Sequence, residues 1–321
     1  MPSSNPNSPC AEAIAFGPVP SRRLGSSVGV NTVPCKTCTY SCVYCQLGRT
    51  ALLSVERRTF RETHFVAESV LDRISKASHR PDYVTFLGCG EPTLASNMGD
   101  ILREIAGSTD CRKALLTNGA LLWNPNVRQE AKKFDVVLPT IAAGNEGLFR
   151  KIHRPHPSLN LQKVLSGMMK FSREAAGEVW VEVMLVAGIN DDGVSLEGIR
   201  RAIGPLNANK IHITAPTRPP AELWVRCPNR ESIELALVKI PGAIDMNEPE
   251  TGQFDISKRQ MIDDLLAIAM IHPLTEVQIL GALTSIGMTA EEARQTVEKL
   301  RTDSRIEQIV HGGTVFYRTN R

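Results

Sequence analysis

Between residue 26 and about 240 the chain alternates short β-rich runs with longer amphipathic stretches, a pattern that only a few folds accommodate. The strand candidates are SSVGVNTV (26–33), YVTFLG (83–88), KALLTN (113–118), DVVLPTI (135–141), WVEVMLVAG (180–188) and KIHITAP (210–216). Helix candidates lie between them at 64–78, 96–107, 125–133, 160–176 and 194–204, with a further short helix after the fourth strand. Strands that alternate with helices predict a parallel sheet joined by right-handed crossovers. Runs such as VVLPTI and VMLVAG are apolar on both faces, as a sheet covered by helices requires. Eight repeats close a TIM-like barrel; six are visible here, so the expected fold is α/β, an open, partial (β/α)6 barrel.

The pattern changes after residue 244. The polar stretch 245–256 reads as a linker between a barrel over 1–244 and a second domain over 257–321. ISKRQMIDDLLAIAM, TEVQILGALTS and TAEEARQTVEKLRT predict three helices. Thr275 and Thr289 stand at N-cap positions, and Glu292 follows Thr289 at capping-box spacing. Leu265, Leu266, Ile268, Ile279, Leu280, Leu283, Val297 and Leu300 form an apolar stripe sufficient for a small separate core. RIEQIV and TVFYR flank His311-Gly312-Gly313, a hairpin signal. Three helices followed by a hairpin give a winged-helix arrangement.

Composition narrows the function classes. The 321 residues carry 37 basic and 34 acidic side chains, a balance that neither demands nor excludes a nucleic-acid partner. Residues 270–321 hold six Lys/Arg and six Asp/Glu, which argues against strong DNA binding by the tail. No apolar run reaches membrane-span length, and the N-terminus lacks the basic and apolar regions of a secretory signal, so a cytoplasmic protein with no membrane partner is expected.

Four of the eight cysteines, Cys35, Cys38, Cys42 and Cys45, fall within eleven residues. In an intracellular chain such a cluster reads as metal ligation rather than disulfides. The CxxxCxxC spacing of Cys38, Cys42 and Cys45 lets one loop wrap one iron–sulfur cluster, and three thiolates on a four-iron cluster leave one iron open. Zinc is the alternative, with Cys35 as fourth ligand; the glycine–glutamate segment and the barrel pattern weigh against it. Cys35 then reads as a loop cysteine near the cluster, and Cys10, Cys111 and Cys227 as packed or free thiols. The loop follows the first strand, at the sheet edge where α/β barrels build active sites.

CxxxCxxC after the first strand, with Tyr44 before the third cysteine, resembles the radical S-adenosylmethionine (SAM) superfamily. Gly88-Cys89-Gly90-Glu91-Pro92 is similar to that superfamily's Gly-Gly-Glu segment, with Cys89 interrupting the double glycine. GPVPSRRLGSSVGVN (17–31), FLGCGEPTL, LLTNG, KIHRPH and APTRPPAE (215–222) together resemble the Fe-S oxidoreductase group related to the tRNA wybutosine-synthesis radical enzyme, over residues 16 to about 222. The extra cysteines that wybutosine enzymes carry for a second cluster are not found here. The resemblance implies a 4Fe-4S cluster on Cys38, Cys42 and Cys45, with SAM held by its amino and carboxylate groups on the open iron. A one-electron reductant such as flavodoxin or ferredoxin would drive cleavage to a 5′-deoxyadenosyl radical, which abstracts hydrogen from the substrate. It also implies that Gly88, Cys89, Gly90 and Glu91 bind the methionine end.

The remaining candidates stay open between a functional and a plainer reading. Glu182, a carboxylate in an apolar strand, needs partners: cofactor hydroxyls or a salt bridge. Asn118 contacts the nucleoside or serves only as a turn residue before Gly119. His153, Arg154, His156 and Arg218 are candidates for acid–base work or anion binding, with Arg22 and Arg23 beside them, or are solvated loop charge. The expected activity is that of a radical SAM oxidoreductase or transferase. Its substrate is tRNA or, alternatively, a protein, peptide or small metabolite docked by the winged helix. A metal-binding, DNA-associated regulator is the reading from another class.

Overall fold

The structure is a computed structural model that describes residues 13–248, 250 and 252–320; Cys10 lies outside them. Its strands are β1 (Ala15–Ser21), β2 (Gly25–Val30), β3 (Thr37–Cys38), β4 (Leu52–Leu53), β5 (Tyr83–Phe86), β6 (Arg112–Thr117), β7 (Val136–Ile141), β8 (Glu178–Met184), β9 (Lys210–Thr214), β10 (Ala243–Asp245), β11 (Leu274–Thr275), β12 (Ile306–His311) and β13 (Thr314–Thr319). Its helices are α1 (Thr63–Ser75), α2 (Met98–Ala106), α3 (Pro125–Ala131), α4 (Glu146–His153), α5 (Leu161–Glu174), α6 (Gly193–Ile203), α7 (Arg230–Lys239), α8 (Met261–Ile271), α9 (Glu276–Ser285) and α10 (Ala290–Thr302).

Eight strands form the main sheet in the order β1-β2-β5-β6-β7-β8-β9-β10. From β2 to β10 every neighbour pair is parallel and follows chain order, so the sheet is wound in one direction. β1 is antiparallel to β2 at one edge, and β10 closes the other. The two edges do not pair, so the sheet is open. The six predicted strands are all present, and two more flank them. β1 contains Pro18 and Pro20 and reads as loop; prolines are tolerated there because the strand lies at an edge. β10 spans three residues, too few for a periodic signal.

The helices bury the stripes that their spacing dictates. Met98, Ile101, Leu102 and Ile105 of α2 face the sheet at i, i+3, i+4 and i+7. Asparagine side chains cap α4, α5 and α7, and Asp192 caps α6. The principal core lies between sheet and helices, and a smaller layer of Leu24, Tyr83, Ala114, Val136, Leu138 and Trp180 fills the other face of the sheet.

In the tail, α8, α9 and α10 pack on a three-stranded sheet in the order β11-β13-β12. Thr275–Gln278 and Thr289–Glu292 both form complete capping boxes. Gly312 and Gly313 turn the β12–β13 hairpin at φ of 56° and 79°, the positive values a tight hairpin needs. The tail core is not self-contained. Leu265, Ile268, Ile279, Leu283, Val297 and Leu300 share one cluster with Phe16 and Val19 of β1, and with Phe254 and Ile256 from the connecting segment. Arg73 of α1 reaches across to Asp264 at 2.8 Å and to the Asp255 carbonyl at 3.0 Å. Within the stretch expected to be a linker, Phe254 and Ile256 are buried and cover apolar surface of β1.

Candidate active site

Parallel strands all present their carboxyl ends to one edge, and the loops leaving those ends converge on one cavity of about 310 Å3. Its wall includes Cys38, Cys42 and Cys45 from the loop after β2, Gly88, Gly90 and Glu91 after β5, and Thr117 and Asn118 at the end of β6. Thr140, Glu182, Met184 and the 214–218 segment complete it.

The cysteine loop is held on two sides. On one, Lys36 N donates to Cys89 O at 2.6 Å and Glu91 N to Thr37 O at 3.0 Å. On the other, Ser41 N and Val43 N donate to the carbonyls of His153 and Ile152, both at 2.9 Å, so the end of α4 brackets Cys42. Burial, with Glu91 nearby, pushes the Cys38 thiol up to about 12, and burial holds Cys42 well above the ordinary thiol range. Metal loading must therefore remove protons from these thiols.

Cys38, Cys42 and Cys45 are not in disulfides. Cys35, expected as a loop cysteine near the cluster, is paired with Cys89. Among the described residues no three His, Cys, Asp or Glu side chains are grouped closely enough for a single metal ion. Three thiols on one cavity wall, with no fourth protein ligand among the described residues, fit a 4Fe-4S cluster that keeps an iron open.

The residues of the Gly88–Glu91 segment divide between the cavity and the scaffold behind it. Cys89 does not face the cavity: its N–H donates to Asn31 Oδ1 at 2.7 Å, its carbonyl accepts from Lys36, and its sulfur is in the disulfide. Gly90 is required by close backbone approach, because a Cβ there would lie 2.0 Å from Thr37 O. The Glu91 carboxylate is buried and accepts from Thr93 N at 3.1 Å, Thr93 Oγ1 at 2.6 Å, Thr117 Oγ1 at 2.6 Å and Asn118 N at 2.9 Å. It ties the end of β5 to the end of β6. Thr93 and Thr117 were missed in the sequence; Thr117, the last residue of a parallel strand beside Asn118, carried the available signal.

Asn118 holds its own turn and the cysteine loop. Its Oδ1 caps the turn at Ala120 N at 2.9 Å, and its Nδ2 donates to Thr39 Oγ1 at 2.8 Å and lies 3.5 Å from Cys38 Sγ. Glu182 forms a salt bridge with Arg23, and both line the cavity. Burial, then Arg22 and Arg218, lower the Arg23 guanidinium to about 10.

Of the acid–base candidates, only Arg218 lines the cavity. His153 lies behind the cysteine loop, with Nδ1 at 3.3 Å from Cys42 Sγ, and burial drives it down to about 3, so it is neutral. Arg154 turns outward to Glu222, which also holds Arg49 at 2.9 and 3.1 Å. His156 bonds Ser158 in its own turn, 2.9 Å away. These three do not reach the cavity because α4 ends with its last turn against the outer side of the cysteine loop. Arg218 donates to Glu250 at 2.6 Å, as well as to Gln46 and His272, while Arg22 Nε lies 3.7 Å from the same carboxylate. His272 Nε2 meets Arg218 and lies 2.9 Å from Glu250 Oε2, and burial with the Arg218 cation holds the imidazole below its ordinary value. Glu250 and His272 thus bring the tail to the cavity mouth, a contact between residues far apart in sequence that no local pattern announces.

A parallel sheet with a three-thiol cavity at its carboxyl edge defines a SAM-dependent iron–sulfur enzyme. The chain belongs to the radical SAM superfamily: a profile described as Radical SAM superfamily matches residues 32–195. It is a radical SAM enzyme, and its cofactors are a 4Fe-4S cluster and SAM. It is 36% identical to a UPF0026 protein of Methanocaldococcus jannaschii over 96% of both chains. It is 30% identical to a UPF0026 protein of Helicobacter pylori, over 82% of this chain and 85% of that one. Among solved structures, a radical SAM methyltransferase from Sphaerobacter thermophilus aligns with a TM-score of 0.49 at 16% identity, over 68% of this chain and 66% of that one. TYW1 with a lysine-pyruvate adduct bound aligns with a TM-score of 0.48 at 13% identity, over 92% of this chain and 80% of that one. No described helix is long and apolar enough to cross a membrane.

Proposed function

We propose that Cys38, Cys42 and Cys45 carry the cluster and that the enzyme takes a hydrogen atom from a substrate held in the same cavity. The observation that carries this is the single wall shared by the three cysteines, Gly88, Gly90 and Asn118. Bound there, cluster and SAM supply a one-electron cleavage that delivers a hydrogen-abstracting 5′-deoxyadenosyl radical, the electron coming from a flavodoxin- or ferredoxin-like donor. The backbone of Gly88 and Gly90 offers acceptors to the methionine ammonium. Glu91 holds that backbone in place. The Arg23–Glu182 pair and Asn118 bind the nucleoside, and Arg22 and Arg218 orient an anionic group of the substrate. Among the described residues the cations lining the cavity are all arginines, which stay protonated, so none of them offers a lysine amine to form a covalent adduct with a carbonyl substrate.

tRNA is the first substrate reading, by the resemblance of the motifs to the wybutosine-synthesis group. The open sheet is a partial barrel and the tail a winged helix. Between the β12–β13 wing and the 219–226 segment runs a cleft of about 740 Å3, lined by Lys36, Arg49, Arg226, His311 and Arg318, in which Arg49 is paired with Glu222 and Arg318 with Glu307. An RNA phosphate there would compete with those carboxylates for the two arginines. A peptide or small metabolite is the alternative. Anaerobic, reduced protein incubated with SAM should release methionine and 5′-deoxyadenosine, slowly without substrate; no release contradicts the activity. Full-length protein should bind tRNA with an affinity that falls steeply as salt rises; absence of binding at low salt leaves the alternative.

A further inference from the structure

His153 is the last residue of α4 and 2% exposed. Its ring is wedged between Tyr40, Phe149 and Tyr44, at centroid distances of 5.0, 5.4 and 5.9 Å. Its carbonyl and that of Ile152 accept the backbone N–H groups on either side of Cys42. The ring is thus fixed in a cage whose backbone also fixes the cysteine. A cage of that kind would be filled equally well by an apolar ring, and an imidazole there needs a partner for its buried polar atoms. The partner is sulfur: Nδ1 lies 3.3 Å from Cys42 Sγ and 3.5 Å from Tyr44 Oη.

We propose that His153 is a positioning residue that donates its Nδ1–H to Cys42 Sγ when Cys42 carries iron, and so raises the reduction potential of the cluster. A ligating thiolate has no proton and can only accept, so the contact persists when Nδ1 is the protonated ring nitrogen. Hydrogen bonds to cluster sulfurs are among the factors that set an iron–sulfur potential. They stabilise the reduced, more negative state more than the oxidised one. The proposal rests on the assignment of Cys42 as a cluster ligand.

The test compares His153→Asn with His153→Leu in full-length, anaerobically reconstituted protein. The two replacements match in shape and lose the ring equally, but only asparagine keeps an N–H near the Nδ1 position. Iron and sulfide content and the midpoint from a redox titration followed by electron paramagnetic resonance are the readouts. The expected result is a midpoint near native for the asparagine variant and a more negative one for the leucine variant, or loss of the cluster from the leucine variant alone. Equal midpoints, or equal loss of the cluster from both, overturn the proposal. A Cys42→Ala protein that keeps its full iron overturns the ligand assignment and the proposal with it. Equal midpoints alongside an iron-free Cys42→Ala protein overturn the proposal alone.

Discussion

Gly90 shows how single positions here serve the cavity through the backbone. Its missing side chain lets the cysteine loop lie against the β5–α2 loop, with Glu91 N donating to Thr37 O. A methyl group at that position meets backbone rather than a flexible side chain, so the cysteine loop itself must move. Gly90→Ala is expected to cost about 1–3 kcal/mol, in the range of overpacking elsewhere. It should lower both the thermal midpoint and the iron content of reconstituted protein. An alanine variant with native midpoint and full iron would show that the two loops are not coupled. Cys89 illustrates the opposite case: it stands inside the motif yet faces away from the cavity, because its backbone and sulfur are taken by Asn31, Lys36 and Cys35.

Elements with a local code were legible in the sequence, and those held by distant partners were not. Both tail caps were read from threonines at helix starts, Thr289 with Glu292 three positions on, and the structure has each as a reciprocal box, Thr275 with Gln278. Thr289→Ala removes the acceptor for Glu292 N, which is 3.3 Å away. It should destabilise the protein by about 1 kcal/mol in urea unfolding while leaving SAM cleavage unchanged; a change beyond about 2 kcal/mol would mean that Thr289 does more than cap. The parallel strands were read within a few residues because each alternates with a clear helix. β1 was missed because its prolines mimic a loop, β10 because it is short, and α7 because its amphipathic pattern is weak, with Val238 left exposed. In the site, cysteine spacing and the ends of β5 and β6 were readable. The Arg218–Glu250–His272 contact was not, since Glu250 comes from a stretch with no period at all.

At the scale of the whole molecule, the tail is fastened to the sheet by an apolar seam and by buried ionisable groups, and the latter make its stability depend on pH. Burial, Arg23 and Lys210 lower His212 to about 4, and His272 is likewise held below its ordinary value of 6.5. Below about pH 6.5 the unfolded chain takes up protons on these histidines that the fold refuses, so stability falls with pH. Glu250 is held well below the ordinary carboxylate range, chiefly by His272 and Arg218 acting against burial, so its contribution is present above about 4.5 and is lost as pH falls further. The thermal midpoint should be level between about pH 7 and 8, decline below about 6.5 and drop again below about 4.5. A midpoint that rises from pH 7 to 5 would contradict this assignment of charges. The central claim, that three thiols at the mouth of an open parallel sheet carry the cluster, is tested most directly by counting iron and acid-labile sulfide in anaerobically prepared protein and in its Cys38→Ala, Cys42→Ala, Cys45→Ala and Cys35→Ala variants. The account predicts about four irons and four sulfides per chain in the native and Cys35→Ala proteins and loss of the cluster in each of the other three. A full cluster in Cys42→Ala, or zinc in the native protein, would contradict it.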